Sequence, residues 1–166
     1  SMQQSYGRVL GVTEVIPPDR LIEDALKLNE GGLARHGIEV ERDYEAVSPI
    51  TVDKHRVLQI LLNLIHNAKY ACSEREGRKV IRLKVFGPGP DRVVFRVEDN
   101  GVGIPAENMT RIFQHGFTTR RTGHGFGLHS GALAAQELGG TLTAHSDGAG
   151  LGAAFTLELP VRPGVS

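Results

Sequence analysis

Three side-chain amides, Gln59, Asn63 and Asn67, recur at i, i+4 and i+8 inside a segment, 57–68, that is otherwise almost entirely aliphatic. On a helix that spacing places all three on one face. Asparagine is a mediocre helix former and loses free energy when buried without partners, so the pattern requires something polar to face it. Two arrangements satisfy it. The amides can form a ladder to neighbouring backbone, or their carbonyl oxygens can face a hard cation such as Mg²⁺, which takes octahedral oxygen ligands and often a phosphate. A neutral amide suits a site where phosphates already bring the negative charge.

A second group lies further along. Val93, Phe95, Val97 and Asp99 share one face of a strand, because strand side chains alternate with a period of two. Asp99 therefore follows three apolar residues towards the interior, and Asn100-Gly101-Val102-Gly103-Ile104-Pro105 comes next. A carboxylate at the mouth of an apolar slot can accept a hydrogen bond from the exocyclic amine of a flat ring, and nearby glycines let backbone come close to that ring. An ordinary Asp-Asn-Gly turn has the same sequence. A dinucleotide fingerprint does not fit, since Pro105 and the polar residues after it open no long packed helix. The chain has no Gly-Lys dipeptide and so no P-loop.

A third segment is set apart by charge. Nineteen Lys plus Arg balance nineteen Asp plus Glu over 166 residues, yet no acid falls between Glu107 and Glu137, a stretch holding Arg111, His115, Arg120, Arg121, His124 and His129. Within it, Gly123-His124-Gly125-Phe126-Gly127-Leu128 runs into a helix. Helix N-termini present free N–H groups and partial positive charge, and glycines clear the approach for an anion. Thr118 and Thr119 add hydroxyls that can reach the same anion or only each other. A solvated surface loop is the alternative. The histidine spacings match no zinc signature and no cysteine joins them.

These residues need positioning elements. The pattern predicts strands at Val12–Ile16, Ile38–Tyr44, Ile50–Val52, Val80–Phe86, Val93–Asp99, Thr141–His145 and Ala154–Leu159. It predicts a helix begun by Pro17-Pro18 and weakened at Gly31-Gly32, a long one capped by Asp53 and running to about Ser73, and a third from Leu128 to Leu138, ended by Gly139-Gly140. Gly87-Pro88-Gly89-Pro90 reads as a hairpin turn and 107–113 as a helical turn within a loop. The sum is an α+β fold, a mixed sheet with helices on one face. Ser1-Met2 looks like a cloning remnant, so residues 1–11 are expected to be tag remnant and linker, 12–160 one domain and 161–166 a frayed tail. With 40% hydrophobic residues the chain can bury a core, and zero net charge argues against nucleic-acid coating or a polybasic anchor. The single Cys72 fits a reducing compartment, and no apolar run approaches membrane-spanning length.

Four segments taken in order resemble the ATP-binding domain of bacterial sensor histidine kinases, within the superfamily that includes gyrase, heat-shock chaperone and mismatch-repair ATPases. Asn63-Leu64-Ile65-His66-Asn67-Ala68 resembles the N box, and Glu98-Asp99-Asn100-Gly101-Val102-Gly103-Ile104-Pro105 the first glycine box. Ile112-Phe113-Gln114-His115-Gly116-Phe117-Thr118-Thr119 resembles the F box, and Gly123-His124-Gly125-Phe126-Gly127-Leu128 the second glycine box. The resemblance implies a two-layer α/β sandwich of Bergerat type, with ATP between the helix layer and a lid of about 113–126. It implies that Asn67 coordinates Mg²⁺, that Asn63 lies beside the triphosphate, and that Tyr70 lies nearer the nucleotide than Lys69. Asp99 would accept from the adenine amine, Gly101, Gly103 and Ile104 would border the ring, and Arg120 would face the γ-phosphate. Phe117, Thr118, Thr119, His124 and Phe126 belong to the lid, while Gly123, Gly125, Gly127 and Leu128 would offer N–H groups to phosphates. Gly152-Ala153 departs from the family's common Thr or Ser after this glycine.

ATP hydrolases and serine kinases of this fold usually carry Glu where Asn63 stands, and an amide has no useful basicity near neutral pH. The resemblance therefore implies a histidine kinase that passes the γ-phosphoryl to a His on a separate helical dimerisation domain, and thence to a response regulator, with no nucleic-acid partner. No acceptor is visible here: His36 sits at a helix end and His55 lacks the adjacent acid. The expected setting is cytoplasmic, the domain monomeric and its parent a homodimer that can be anchored in the inner membrane. An ATPase or serine kinase of the same fold, and a nucleotide-binding regulatory module, are the alternatives.

Overall fold

The computed structural model of the chain describes residues 12–114 and 126–164. Along them run β1 (Glu14–Ile16), α1 (Pro18–Leu28), α2 (Glu30–Arg35), β2 (Ile38–Tyr44), β3 (Ile50–Val52) and α3 (Lys54–Ser73). Then come β4 (Lys79–Gly89), β5 (Arg92–Asp99), a 3-10 turn (Ala106–Asn108), α4 (Phe126–Glu137), β6 (Thr141–His145) and β7 (Ala153–Pro160). The main sheet has the order β2-β4-β5-β7-β6; β2 and β4 are parallel and the other pairs antiparallel. β1 and β3 form a separate antiparallel pair. Helices cover one face of the main sheet, which is the mixed two-layer sandwich expected.

Strand alternation decides which face the helices cover. Val93, Phe95 and Val97 of the central strand β5 are fully buried, with Ile81 and Leu83 of β4 and Leu157 and Leu159 of β7. On them lie Leu21 and Ile22 of α1 and Leu61, Leu64 and Ile65 of α3. The opposite face is laced by solvent-facing pairs, Arg82 to Glu41 at 3.0 Å, Lys84 to Glu98 at 3.5 Å and Arg92 to Glu158 at 3.1 Å. Such exposed pairs contribute at most about 1 kcal/mol each; they mark the wet side rather than hold the fold.

Helix α3 is the axis of the helix layer, packed between α1 and α4. Asp53 caps it as expected, accepting from the Arg56 N–H at 3.3 Å. Two glycines of α4, one turn apart, face α3 and β6. A Cβ on Gly131 would lie 3.2 Å from Leu142 and 4.0 Å from Ile60, and one on Gly127 would lie 3.9 Å from the Asn63 carboxamide.

Three local expectations change. Gly31-Gly32 does not weaken the end of α1; Asn29 breaks the helix, and both glycines sit inside α2, where Lys69 lies across Gly32. β4 continues through the expected turn to Gly89, with a register irregularity between Phe86 and Gly89 that accommodates Pro88, a residue unable to donate to a ladder. The first residue past Pro160 is still paired, since Val161 donates to Asp91 O at 3.0 Å and accepts from the Thr51 N–H at 2.8 Å.

Candidate functional site

Asp99 ends β5 between Ile81 of β4 and Ala153 of β7, at one rim of the sheet. Its Oδ1 accepts the Gly101 N–H at 2.9 Å, and the backbone N–H of Ala153, its register partner on β7, lies close enough to favour the charged carboxylate. Burial pushes its pKa up from 3.8 to about 6, against the lowering effect of those two backbone donors. A carboxylate accepts about four hydrogen bonds, so this one keeps capacity for an incoming donor and gains more from it than an exposed acid would. Beneath it lies buried Cys72 of α3, whose thiol is pushed up to about 11 by burial and by the Asp99 charge.

The loop that follows Asp99 is fixed at both ends. Asn100 anchors its start, accepting the Val80 N–H at 2.9 Å and donating to Arg78 O at 2.8 Å. Gly101 comes so close to α3 that a Cβ would lie 2.5 Å from the Ala71 carbonyl carbon, and Val102 N–H donates to Ala71 O at 3.2 Å. Gly103 has φ +72°, and a Cβ there would meet Gly148 O at 2.2 Å. Gly150 and Gly152 donate to the carbonyls of Val102 and Gly101 at 2.6 and 3.2 Å, and Ile104 N–H donates to Ser146 Oγ at 3.0 Å. What these glycines admit is thus first the protein's own backbone, from α3 and from the β6–β7 hairpin.

From the Asp99 loop, a stripe on α3 leads to α4. Asn63, Asn67 and Ala71 are spaced four apart on one face, about 12 Å from first to last at the helical rise. Ala71 meets the glycine loop at one end and Asn63 meets Gly127 at the other. Asn63, Asn67 and Tyr70 are half-buried, whereas Gln59 is exposed, so the amide face holds two members rather than three. Lys69 points away, towards α2, which leaves Tyr70 the nearer of the two to the stripe. In α4, Gly127 and Leu128 stand in the first turn, and His129 Nδ1 lies 3.0 Å from Phe113 O.

The structure therefore brings together Asn63, Asn67, Asp99, Gly101, Gly103, Ile104, Gly127 and Leu128 around α3. Phe126 is described only as helical backbone, and Phe117, Thr118, Thr119, Arg120, Gly123, His124 and Gly125 lie outside the described residues. Among the described residues no group of three or more His, Cys, Asp or Glu side chains could hold a metal ion. Sequence reasoning missed Asn100 and Ser146, both ordinary polar residues whose importance lies in what they bond. Asn100, directly after the strand acid, carried the better signal.

The sequence pattern of the family described as histidine kinase-, DNA gyrase B- and HSP90-like ATPase matches residues 52–163. The sensor protein ChvG of Agrobacterium fabrum is 40% identical over 132 residues, 72% of this chain and 22% of that protein. The signal transduction histidine-protein kinase AtoS of Escherichia coli is 36% identical over 154 residues, 86% of this chain and 23% of that protein. This chain thus spans less than a quarter of either. The catalytic domain of histidine kinase ThkA superposes with a TM-score of 0.79 at 25% identity, covering 91% of this chain and 99% of that domain. Full-length ShkA, solved in complex with AMPPNP, gives a TM-score of 0.82 at 24% identity over 95% of this chain and 33% of its own.

Proposed function

Because this chain belongs to the histidine kinase-, DNA gyrase B- and HSP90-like ATPase family, we propose that it binds ATP with Mg²⁺ as the catalytic domain of a two-component sensor histidine kinase. The donor set fits such a ligand. Asp99 is a desolvated carboxylate with acceptor capacity left over, suited to the adenine amine. Two half-buried amides, Asn67 and Asn63, lead from it to the first turn of α4, suited to a metal and to phosphates. The distance along α3 is comparable to a nucleoside triphosphate from base to terminal phosphate. Gly101, Gly103 and Ile104 would border the base, Tyr70 the middle, and Gly127 and Leu128 the phosphates, with Phe117, Thr118, Thr119, Arg120, Gly123, His124, Gly125 and Phe126 closing over them.

One observation favours transfer over hydrolysis: the side chain facing Gly127 at the start of α4 is the amide of Asn63 and not a carboxylate. An amide cannot take a proton from water at neutral pH. ATP supplies an activated γ-phosphoryl group, and this chain's residues orient it and neutralise charge around it. The acceptor is then a His on a separate helical dimerisation domain of the parent, which passes the group to a response regulator. We place the domain in the cytoplasm, monomeric by itself, within a homodimeric parent held at the inner membrane. Among the described residues no helix is long and apolar enough to cross a membrane.

Incubation with labelled ATP and a dimerisation domain tests this. Acid-labile, base-stable label on that domain is the expected result. Free phosphate without protein label would identify a hydrolase, and binding with neither would identify a regulatory module.

A further inference from the structure

Ser146, the first residue after β6, uses every hydrogen-bonding capacity its hydroxyl has. Oγ accepts the Ile104 N–H at 3.0 Å and the Gly148 N–H at 3.2 Å, and it donates to Gly152 O at 2.6 Å. A hydroxyl offers one proton and two lone pairs. Gly148 O at 3.3 Å competes for that proton and loses on distance. The Gly152 carbonyl shares its peptide group with the N–H of Ala153, the register partner of Asp99 on β7, and that N–H lies close enough to the Asp99 carboxylate to favour its charged form. Hydroxyl, peptide and carboxylate thus stand in series.

Two consequences follow from the series. A bond to the carbonyl end of a peptide polarises it and strengthens the donor at the other end. The bond also helps fix the orientation of that peptide, whose Gly152, at φ +73°, lies too close to Asp99 O to carry a side chain. We infer that Ser146 is a positioning residue: through the 152–153 peptide it aims the Ala153 N–H at Asp99 and holds that carboxylate ready for an amine donor. Ser146 itself touches no ligand. The link to base selection rests on the ATP reading above, whereas the coupling of Ser146 to Asp99 does not.

Other titratable groups near Asp99 leave its titration legible. Cys72, against it from α3, stays a neutral thiol over the range in which Asp99 titrates, and Lys79 at the start of β4 acts on that thiol. On the hairpin side Asp99 meets the backbone of Gly152 and Ala153, while His145 and Asp147 pair with each other at 3.0 Å in solvent.

The test is a side-chain carboxyl carbon NMR titration of Asp99 in the ligand-free chain, for wild type, Ser146→Ala and Ser146→Thr, with melting temperatures alongside. Ser146→Ala is expected to raise the Asp99 midpoint by about half a pH unit or more, and Ser146→Thr, which keeps the hydroxyl, to restore it. An unchanged midpoint with a lowered melting temperature would overturn the inference and leave Ser146 as a hairpin fastener. If Ser146→Ala does not fold, Ser146→Cys, a weaker donor of similar size, should give a smaller upward shift, and no shift would again overturn it. In calorimetry, Ser146→Ala should weaken ATP several-fold below neutral pH and reduce discrimination against GTP, with no further loss in an Asp99→Asn background. A midpoint that moves in a protein whose nucleotide selection ignores Asp99→Asn would uphold the coupling and sink the ATP reading.

Discussion

Glycines occur at both ends of the α3 stripe, for opposite reasons. Around Asp99 they are places where the protein touches itself: a Cβ on Gly101, Gly103 or Gly152 would lie 2.5, 2.2 or 2.2 Å from backbone of another segment. At the start of α4, among the described residues, a Cβ on Gly127 would meet the Asn63 amide at an ordinary 3.9 Å. One end is interlocked by α3, the loop after β5 and the β6–β7 hairpin; the other, among the described residues, leaves room. The difference matches two kinds of ligand group. A flat base with few polar atoms is selected by a carboxylate held rigidly in place, whereas phosphates need free N–H groups and open approach.

Substituting the two kinds of glycine is the sharpest way to break the comparison. Gly152→Ala forces a side chain into Asp99 O at a left-handed φ and should cost on the order of 3 kcal/mol, lowering the melting temperature by roughly 6–12 °C. Gly127→Ala should leave the melting temperature unchanged or slightly higher, since Ala favours helix, and should weaken nucleotide binding several-fold. Equal thermal losses in both would abolish the contrast.

Next in size is Asp99. Its folded pKa of about 6 lies above the ordinary 3.8, so its contribution favours folding when protonated and is lost as pH rises through 6. That amounts to on the order of 3 kcal/mol against the ligand-free fold near neutrality. Asp99→Asn should therefore raise the melting temperature at pH 7.5 while lowering preference for ATP over GTP by roughly tenfold or more, the worth of a hydrogen bond to a charged group. An amine donor favours the ionised form, so wild-type affinity should be flat above about pH 7 and fall roughly tenfold per unit below 6. Binding independent of pH between 5 and 8 would contradict the assignment.

Much of this was legible in the sequence because the signals were local. Asp53 caps α3 within one turn, the alternation of Val93, Phe95 and Val97 points Asp99 inward, and the amide spacing of Asn63 and Asn67 survives folding. What was not legible depends on distant partners. Gly31-Gly32 has poor helix propensity, yet packing beneath Lys69 keeps it helical. Gln59 obeys the same four-residue spacing as Asn63 but lies where α3 faces solvent. Ser146 carries no motif of its own, and its partners, Ile104 and Gly152, lie on two different loops.

Two smaller effects sharpen the picture between the ends. Asn67→Asp adds a charge and removes an amide donor midway along the stripe. It should shift the Mg²⁺ dependence of nucleotide binding several-fold, read by titrating metal at fixed nucleotide; an unshifted dependence would remove Asn67 from the metal. Ala153→Thr supplies a hydroxyl beside Asp99 without disturbing the backbone donor. It should strengthen ATP binding by no more than about fivefold, the scale of one neutral or water-mediated hydrogen bond. No gain, or a loss, would show that the strand start does not face the base.

In the proposed complex a nucleoside triphosphate lies along α3 with its base at Asp99 and its phosphates at the first turn of α4. Isothermal calorimetry with ATP and GTP at millimolar Mg²⁺ and pH 7.5, on wild type and Asp99→Asn, tests it most directly. Saturable one-to-one ATP binding is expected, with GTP at least tenfold weaker and that gap closed in the variant. Heat from neither nucleotide, or a preference that Asp99→Asn leaves intact, would contradict it.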